Sequence, residues 1–166
     1  RDSPVASPPH PQSPQMVSPI SSHACGIDFG TSNSTVGWLR PQQATLLPLE
    51  DGKPTLPSVV FFNAEEDSVR FGRAGLQDYL DGHEGRLMRS LKSLLGSSLI
   101  DGVTEVQGRP IRFRDLLTQF IATLKERAEA HGEHPFNQAV LGRPVHFVDD
   151  DTAADLLAEA TLGDIA

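Results

Sequence analysis

The chain has 166 residues, of which 14 are Lys or Arg and 22 are Asp or Glu, so its formal net charge is −8. This acidic balance argues against a nucleic-acid-binding protein, because phosphate backbones are bound by basic surfaces. With 38% hydrophobic residues the chain can form one core, and its length suits a single domain. Since it contains no apolar run typical of a membrane span or a signal peptide, we expect a cytoplasmic protein without membrane partners.

Residues 1–22 are rich in Pro and Ser, and Arg1 and Asp2 are their only charges. Such a segment cannot bury enough apolar surface to offset the entropy of ordering it. We therefore predict a disordered extension over 1–22 and a domain over 23–166. The chain begins with Arg rather than Met, and Met16 is a candidate natural start.

Short apolar runs separated by turn residues predict a mostly β first half. The predicted strands are ACGIDFG, STVGWLR, ATLLPLE, LPSVVFFN and VRFG. The connections TSN and PQQ suit antiparallel hairpins. Cys25, the only cysteine, cannot form an internal disulfide, and we expect it to be a small buried apolar residue.

The second half predicts helices and a few strands. GRAGLQDYL and GRLMRSLKSLLG carry apolar residues at helical spacing, with Gly96 ending the second helix. A weak hairpin, GVTEVQGRPIRF, precedes the strongest helical pattern, Phe113–His131. QAVLGRPV predicts a strand ended by Pro144, and the following DDDT predicts the start of a last helix. This order favours an α/β domain with a mixed sheet.

The segment GIDFGTSNS, residues 26–34, has the residue types of a phosphate-binding turn. Gly30 and the hydroxyl residues after it can present backbone N–H groups to phosphate oxygens, while Asp28 orders a hydrated Mg²⁺. The alternative is an ordinary hairpin turn, because Gly, Ser, Thr and Asn favour turns for local reasons. The chain lacks both GxxxxGKS/T and GxGxxG, which excludes a Walker loop and a dinucleotide fingerprint.

Other candidate sites have simpler interpretations. The histidines lack the HxxxH and HExxH spacings of metal ligands, and no GxSxG suggests a serine hydrolase. The run Asp149–Asp151 is explained by the dipole of the helix that it precedes. Lys92, taken alone, is typical of a solvated lysine on an amphipathic helix.

The sequence GIDFGTSNSTVGW resembles the first phosphate-binding motif of actin-like ATPases, and specifically that of the 70-kilodalton heat-shock (DnaK-type) chaperones. The resemblance continues in order through PTLPSVVFF, VRFGRAG, LMRSLKSLLG and LTQFIATLKERAEAHGEHPFNQAVLGRPVHF. It therefore covers residues 24–166. The form LGRPV is similar to the YegD-like branch of that family.

The resemblance implies an actin-like ATPase (ribonuclease H-like) fold, with a mixed five-stranded-type sheet and flanking helices, incomplete at the C-terminus. It implies ATP and Mg²⁺ as cofactors. The residues that would line the β- and γ-phosphates are Gly30, Thr31, Ser32 and Asn33. Lys92 matches the family's catalytic lysine, and Asp28 would serve as the second catalytic residue and bind the metal through water.

Further family features fall at or beyond the end of the chain. Pro144 matches the proline that couples nucleotide state to the substrate domain, but Ala153–Leu157 lacks the family's usual basic residue. The second phosphate motif and the adenosine-binding motif would lie beyond Ala166. We therefore expect the chain alone to be inactive as an enzyme, whereas its full-length form would bind unfolded clients and co-chaperones.

Three functions follow as hypotheses. The first is the ATP-binding segment of a chaperone whose full-length form hydrolyses ATP to drive conformational change and protein folding. The second is part of a sugar or acyl kinase of the same actin-like superfold, although the sequence shows no early substrate-binding pair. The third is a non-enzymic interaction module.

Overall fold

The computed structural model describes residues 23–40, 43–132 and 135–142. The predictions for residues 1–22, for Pro144 and for the last helix lie outside the described residues. Among the helices in the described ranges, none combines the length and the apolar character that crossing a bilayer requires.

The described chain is a mixed α/β structure that begins with six strands. They are β1 (Ala24–Phe29), β2 (Asn33–Arg40), β3 (Gln43–Leu46), β4 (Leu56–Pro57), β5 (Val60–Asn63) and β6 (Ser68–Phe71). Then come α1 (Gly72–Leu80), β7 (Gly85–Met88), two short 3₁₀ helices (Leu91–Leu94 and Ser98–Asp101), β8 (Val103–Val106), β9 (Arg109–Arg112), α2 (Phe113–Glu129) and β10 (Gln138–Leu141).

The main sheet has the strand order β10-β1-β2-β3, with β4 also paired to β2. The pairs β1–β2, β2–β3 and β2–β4 are antiparallel, whereas β10 runs parallel to β1. The predicted mixed sheet and both predicted hairpins are thus confirmed. A parallel neighbour requires a long crossover, and the chain that contains α2 provides it.

One face of this sheet forms the core with α2. Along β1, Ile27 and Phe29 point to this face and are buried. The ring of Phe29 lies 5.5 Å from that of Phe120 on α2, centroid to centroid. Cys25 shares the face and is 1% exposed, so burial raises the pKa of its thiol. The prediction of a small buried cysteine is confirmed.

Glu50 joins α1 to α2. The first turn of α1 has no side-chain cap of its own, and the Glu50 carboxylate accepts hydrogen bonds from the backbone N–H of Arg73 at 2.6 Å and of Ala74 at 3.3 Å. Arg127 of α2 donates to the same carboxylate at 2.9 Å. An anion at a helix N-terminus is stabilising, so this buried carboxylate links the start of α1 to the last turn of α2.

The prediction of a helix over GRLMRSLKSLLG is wrong. Its first part is strand β7, paired antiparallel with β5 in the sheet β6-β5-β7. Ser90 then adopts a left-handed conformation with φ 55°, and only the single 3₁₀ turn Leu91–Leu94 follows. The apolar side chains of Leu91 and Leu95 are fully buried, so the pattern identified buried residues, but pairing with β5 outweighed the helical spacing. The predicted helix α1, the hairpin β8–β9 and the strand β10 are confirmed, and α2 ends two residues earlier than predicted.

Candidate functional site

Asp28 lies near the end of β1, on the sheet face opposite α2. Its side chain is exposed between the buried residues Ile27 and Phe29, and it stands directly across from Thr35 on β2. Beyond the end of β10, the Gly142 N–H donates to Ile27 O at 2.7 Å. A Cβ at Gly142 would lie 3.8 Å from the Asp28 Cβ. The carboxylate therefore opens towards solvent beside a residue without a side chain.

A shallow groove of about 300 Å³ follows this face of the sheet from Asp28. It is lined by Gly26, Ile27, Asp28, Thr35, Gly37, Trp38, Thr45, Leu46, Val140 and Gly142. Gly26 and Gly37 are paired across β1 and β2, so no side chain projects from the sheet at these two positions. The groove gives a bound molecule access to Asp28 along the sheet.

The turn from Gly30 to Asn33 connects β1 to β2. A Cβ on Gly30 would lie 2.1 Å from the carbonyl oxygen of Asn33, so only glycine fits at the first position. Thr31, Ser32 and Asn33 are exposed. The predicted turn thus presents two hydroxyl groups and an amide to solvent, next to Asp28 in sequence.

Two buried serines lie beneath the turn. Ser58, which follows β4, donates from Oγ to Gly30 O at 2.8 Å and pairs with Ser34 Oγ at 2.9 Å. The Ser58 N–H donates to Ser32 O at 2.9 Å. Both serines are 0% exposed. Hydrogen bonds from Ser58 therefore attach the turn to a segment that is distant in the sequence.

Lys92 is carried by the 3₁₀ turn Leu91–Leu94. Leu91 and Leu95 on either side are fully buried, and the lysine itself is partly buried. Burial lowers the pKa of the Lys92 ammonium, and the charge of Asp28 acts in the opposite direction and raises it. The structure thus brings Lys92 within electrostatic reach of Asp28, although the two are far apart in the chain.

The described residues contain no group of three or more His, Cys, Asp or Glu side chains that could hold a metal ion. Among these residues, His83 has a single acidic ion-pair partner, Glu65, at 3.0 Å, and this contact raises the pKa of the imidazole. A cation at this site would therefore be held by Asp28 together with oxygen atoms of water or of a ligand. Mg²⁺ is commonly bound in this way, by one or two carboxylates plus phosphates.

Three residues of the site were not predicted from the sequence. Ser58 sits in LPSVV without any local pattern that signals a contact with Gly30, and Ser34 belongs to the motif but has no role that its own sequence context indicates. Gly142 beside Asp28 depends on the parallel pairing of β10 with β1, which is a long-range feature. Its signal in the sequence is a glycine inside the predicted strand QAVLGRPV.

Comparisons with known proteins give a consistent result. The sequence profile of the family described as Hsp70 protein matches residues 24–163. The chain is 33% identical over 122 residues to the chaperone protein DnaK of Mesomycoplasma hyopneumoniae, which covers 74% of this chain and 19% of that protein. It is 35% identical over 91 residues to the chaperone protein HscA of Salmonella typhimurium, covering 55% of this chain and 14% of that protein.

The chain thus spans less than a fifth of the length of either relative. The region matched by the family profile nevertheless takes in nearly every described residue of the present chain. It includes Asp28, the turn Gly30–Asn33, and Lys92. The chain belongs to the Hsp70 protein family.

Proposed function

We propose that this chain is an ATP-binding segment of a heat-shock-70-type chaperone, in which the turn Gly30–Asn33 holds the phosphates. The observation that carries the proposal is that the exposed Asp28 carboxylate lies two residues before this turn and that its charge acts on the Lys92 ammonium. We further assign residues 23–166 to the first part of an actin-like (ribonuclease H-like) nucleotide-binding domain. The parallel β10–β1 pair beside two antiparallel hairpins supports this assignment.

The turn supplies donors suited to the β- and γ-phosphates. Thr31 and Ser32 offer hydroxyl and backbone N–H groups, and Asn33 adds a side-chain amide. Because Gly30 has no side chain, a phosphate oxygen can approach the backbone closely. The exposed position of all three polar residues leaves these donors accessible.

The residues present fit a hydrated Mg²⁺. Asp28 is an exposed carboxylate next to the turn, with Gly142 rather than a bulky side chain beside it. Asp28 would hold the metal through water, and the phosphates would supply the remaining ligands. When bound, Mg²⁺ neutralises charge on the phosphate oxygens.

Lys92 is the proposed catalytic lysine. A partly buried ammonium on which the charge of Asp28 acts would supply a positive charge at the edge of the phosphate site. Such a charge stabilises negative charge that develops on a transferred phosphoryl group and orients an attacking water.

The activity of the longer protein is part of the same proposal. There, ATP hydrolysis would drive a conformational change that promotes folding of unfolded clients, assisted by co-chaperones in the cytoplasm. The relatives named as chaperones favour this function over a sugar or acyl kinase. The LGRPV sequence favours the YegD-like branch.

The test is a ¹⁵N NMR titration of the chain with Mg·ATP, with Mg·AMP as the matched ligand that lacks the β- and γ-phosphates. We expect amide shifts centred on residues 28–33 and at Lys92 with Mg·ATP only. Asp28→Asn should weaken the response in the presence of Mg²⁺, whereas Asp115→Asn, in the first turn of α2 and paired with Arg112, should not change it. Equal shifts with Mg·AMP, or shifts confined to other regions, would contradict phosphate binding at the turn.

A further inference from the structure

We propose that the buried Ser34–Ser58 hydroxyl pair is a positioning device that fixes the backbone orientation of the turn Gly30–Asn33 for phosphate. This inference rests on the proposed function, because it assigns a role in nucleotide binding to residues that do not touch the nucleotide. Ser58 is the central residue, since it contacts the turn twice, once through Oγ and once through its backbone N–H.

The hydrogen-bond donors can be assigned from chemistry. A serine hydroxyl has one proton, and the Ser58 proton is used in the 2.8 Å bond to Gly30 O. Ser34 must therefore donate to Ser58 Oγ across their 2.9 Å contact. The result is a directed chain from Ser34 through Ser58 to the Gly30 carbonyl, in which each hydroxyl is satisfied.

Fixing the Gly30 carbonyl also fixes the next amide. In a trans peptide, the C=O of one residue and the N–H of the following residue point in opposite directions. Since Gly30 O points to the buried Ser58, the Thr31 N–H points away from it, towards the exposed side of the turn. Ser58 N–H holds the Ser32 carbonyl at 2.9 Å in the same manner, so two carbonyls of the turn are directed inwards, where they cannot repel a phosphate.

Strand pairing and burial hold the segment that carries Ser58. The preceding strand β4 pairs with the start of β2, with Leu56 opposite Ser34 and Pro57 opposite Asn33. Both serines are fully buried, so water cannot replace a lost hydroxyl without entering the core. A turn held in its binding conformation loses less entropy when the ligand binds, which gives the pair a role in affinity beyond its contribution to stability.

The experiment compares Ser58→Ala and Ser34→Ala with Ser68→Ala in the whole chain. Ser68 is the matched control, because its Oγ is also buried but has no hydrogen-bond partner among the described residues. The readouts are the ¹⁵N order parameter of Thr31, hydrogen exchange of the residue 58 amide, and the affinity for Mg·ATP by NMR titration. The first two readouts need no nucleotide.

In Ser58→Ala we expect the Thr31 order parameter to fall from about 0.85 to about 0.6, with faster exchange at residue 58 and unchanged exchange in α2. Mg·ATP should bind about three- to tenfold more weakly, the range expected for one net hydrogen bond. Ser34→Ala keeps the bond from Ser58 to Gly30 and should show a smaller change in the same direction. Ser68→Ala should match the wild type in all three readouts.

An unchanged Thr31 order parameter and residue 58 exchange rate in Ser58→Ala would overturn the inference. If that variant does not fold, the same result in Ser34→Ala overturns it. A loosened turn that binds Mg·ATP as tightly as the wild type would also overturn it, by reducing the pair to a structural role. Failure of the proposed function is distinguishable, because the wild-type turn would then show no response to Mg·ATP at all.

Discussion

The two parts of the candidate site are held in place by different means. The turn Gly30–Asn33 lies between adjacent antiparallel strands, and its conformation depends on one glycine and on hydrogen bonds from Ser58. Lys92 lies on a single 3₁₀ turn of four residues. That turn is anchored by burial of Leu91 and Leu95 instead.

The difference shows that two kinds of interaction, directional hydrogen bonds and hydrophobic burial, position the two parts of the site. Directional hydrogen bonds and a steric limit set the phosphate turn to within a narrow range of geometries. Hydrophobic burial is non-directional, so it fixes where the Lys92 backbone lies but sets no direction for its long side chain. The charge of Asp28 acts on the Lys92 ammonium. Substitutions should therefore have different effects in the two parts.

Leu91→Ala should cause the largest loss. The leucine is 0% exposed, and truncating a buried leucine typically lowers the free energy of unfolding by about 2–5 kcal/mol. The matched control is Leu99→Ala, because Leu99 is 57% exposed and its truncation should change stability by less than about 0.5 kcal/mol. Urea unfolding of the two variants measures the difference. Equal losses would mean that Leu91 does not anchor the Lys92 turn.

Gly30→Ala should come next, through sterics rather than burial. The new Cβ would meet the Asn33 carbonyl oxygen at 2.1 Å, so the backbone must move, at a cost of about 1–3 kcal/mol. Gly142→Ala is the control at the same site, since its nearest contact would be an ordinary 3.4 Å. Thermal unfolding and NMR shifts of residues 28–34 report the change. A Gly30→Ala protein with wild-type stability and shifts would show that the turn is not sterically limited.

The same contrast explains what the sequence could and could not reveal. The hairpin β1–β2 and the residues Asp28 and Gly30 were predictable, because strand alternation and turn composition are local signals. The stretch that carries Lys92 has leucines at helical spacing, which predicts a helix that does not form. Its true conformation depends on the pairing of β7 with the distant β5. Ser58 is hidden for the same reason: its partners, Gly30 and Ser34, are distant in sequence.

Ser90→Gly should stabilise the protein modestly. Ser90 has a left-handed conformation, with φ 55° and ψ 45°, and its side chain makes no capping hydrogen bond. Glycine removes the steric cost of about 1–2 kcal/mol, offset in part by its greater freedom in the unfolded chain. The net gain should be about 0.5–1 kcal/mol. Thermal unfolding measures the gain, and a loss of stability would show that the serine side chain contributes to the turn.

Ser97→Gly tests the opposite sign in the neighbouring 3₁₀ helix. Ser97 has an extended conformation, and its Oγ accepts a hydrogen bond from the Leu99 N–H at 3.2 Å. Glycine removes this cap and the hydrogen bond from Ser97 Oγ to Leu94 O at 3.2 Å without relieving strain, so stability should fall by about 0.5–1 kcal/mol. If both glycine variants change stability in the same direction, relief of backbone strain at Ser90 does not explain the effect of Ser90→Gly.

The smallest effect is expected at the contact between the two parts of the site, and it concerns the pKa of Lys92. Burial lowers this pKa, whereas the charge of Asp28 raises it, so Asp28→Asn should lower it further.

Because the folded-state pKa of Lys92 lies below that of the unfolded chain, the unfolded state binds more protons in the pH interval between the two values. Stability should therefore rise with pH through that interval, and the interval should extend to lower pH in Asp28→Asn. A ¹³C titration of the Lys92 Cε in the wild type and in Asp28→Asn measures the shift, with Asp115→Asn, in the first turn of α2, as the control. The difference should shrink in high salt to the extent that solvent lies between the two charges. An unchanged or raised pKa in Asp28→Asn would show that Asp28 does not hold the ammonium at the phosphate turn, and the two parts of the site would then be independent of each other.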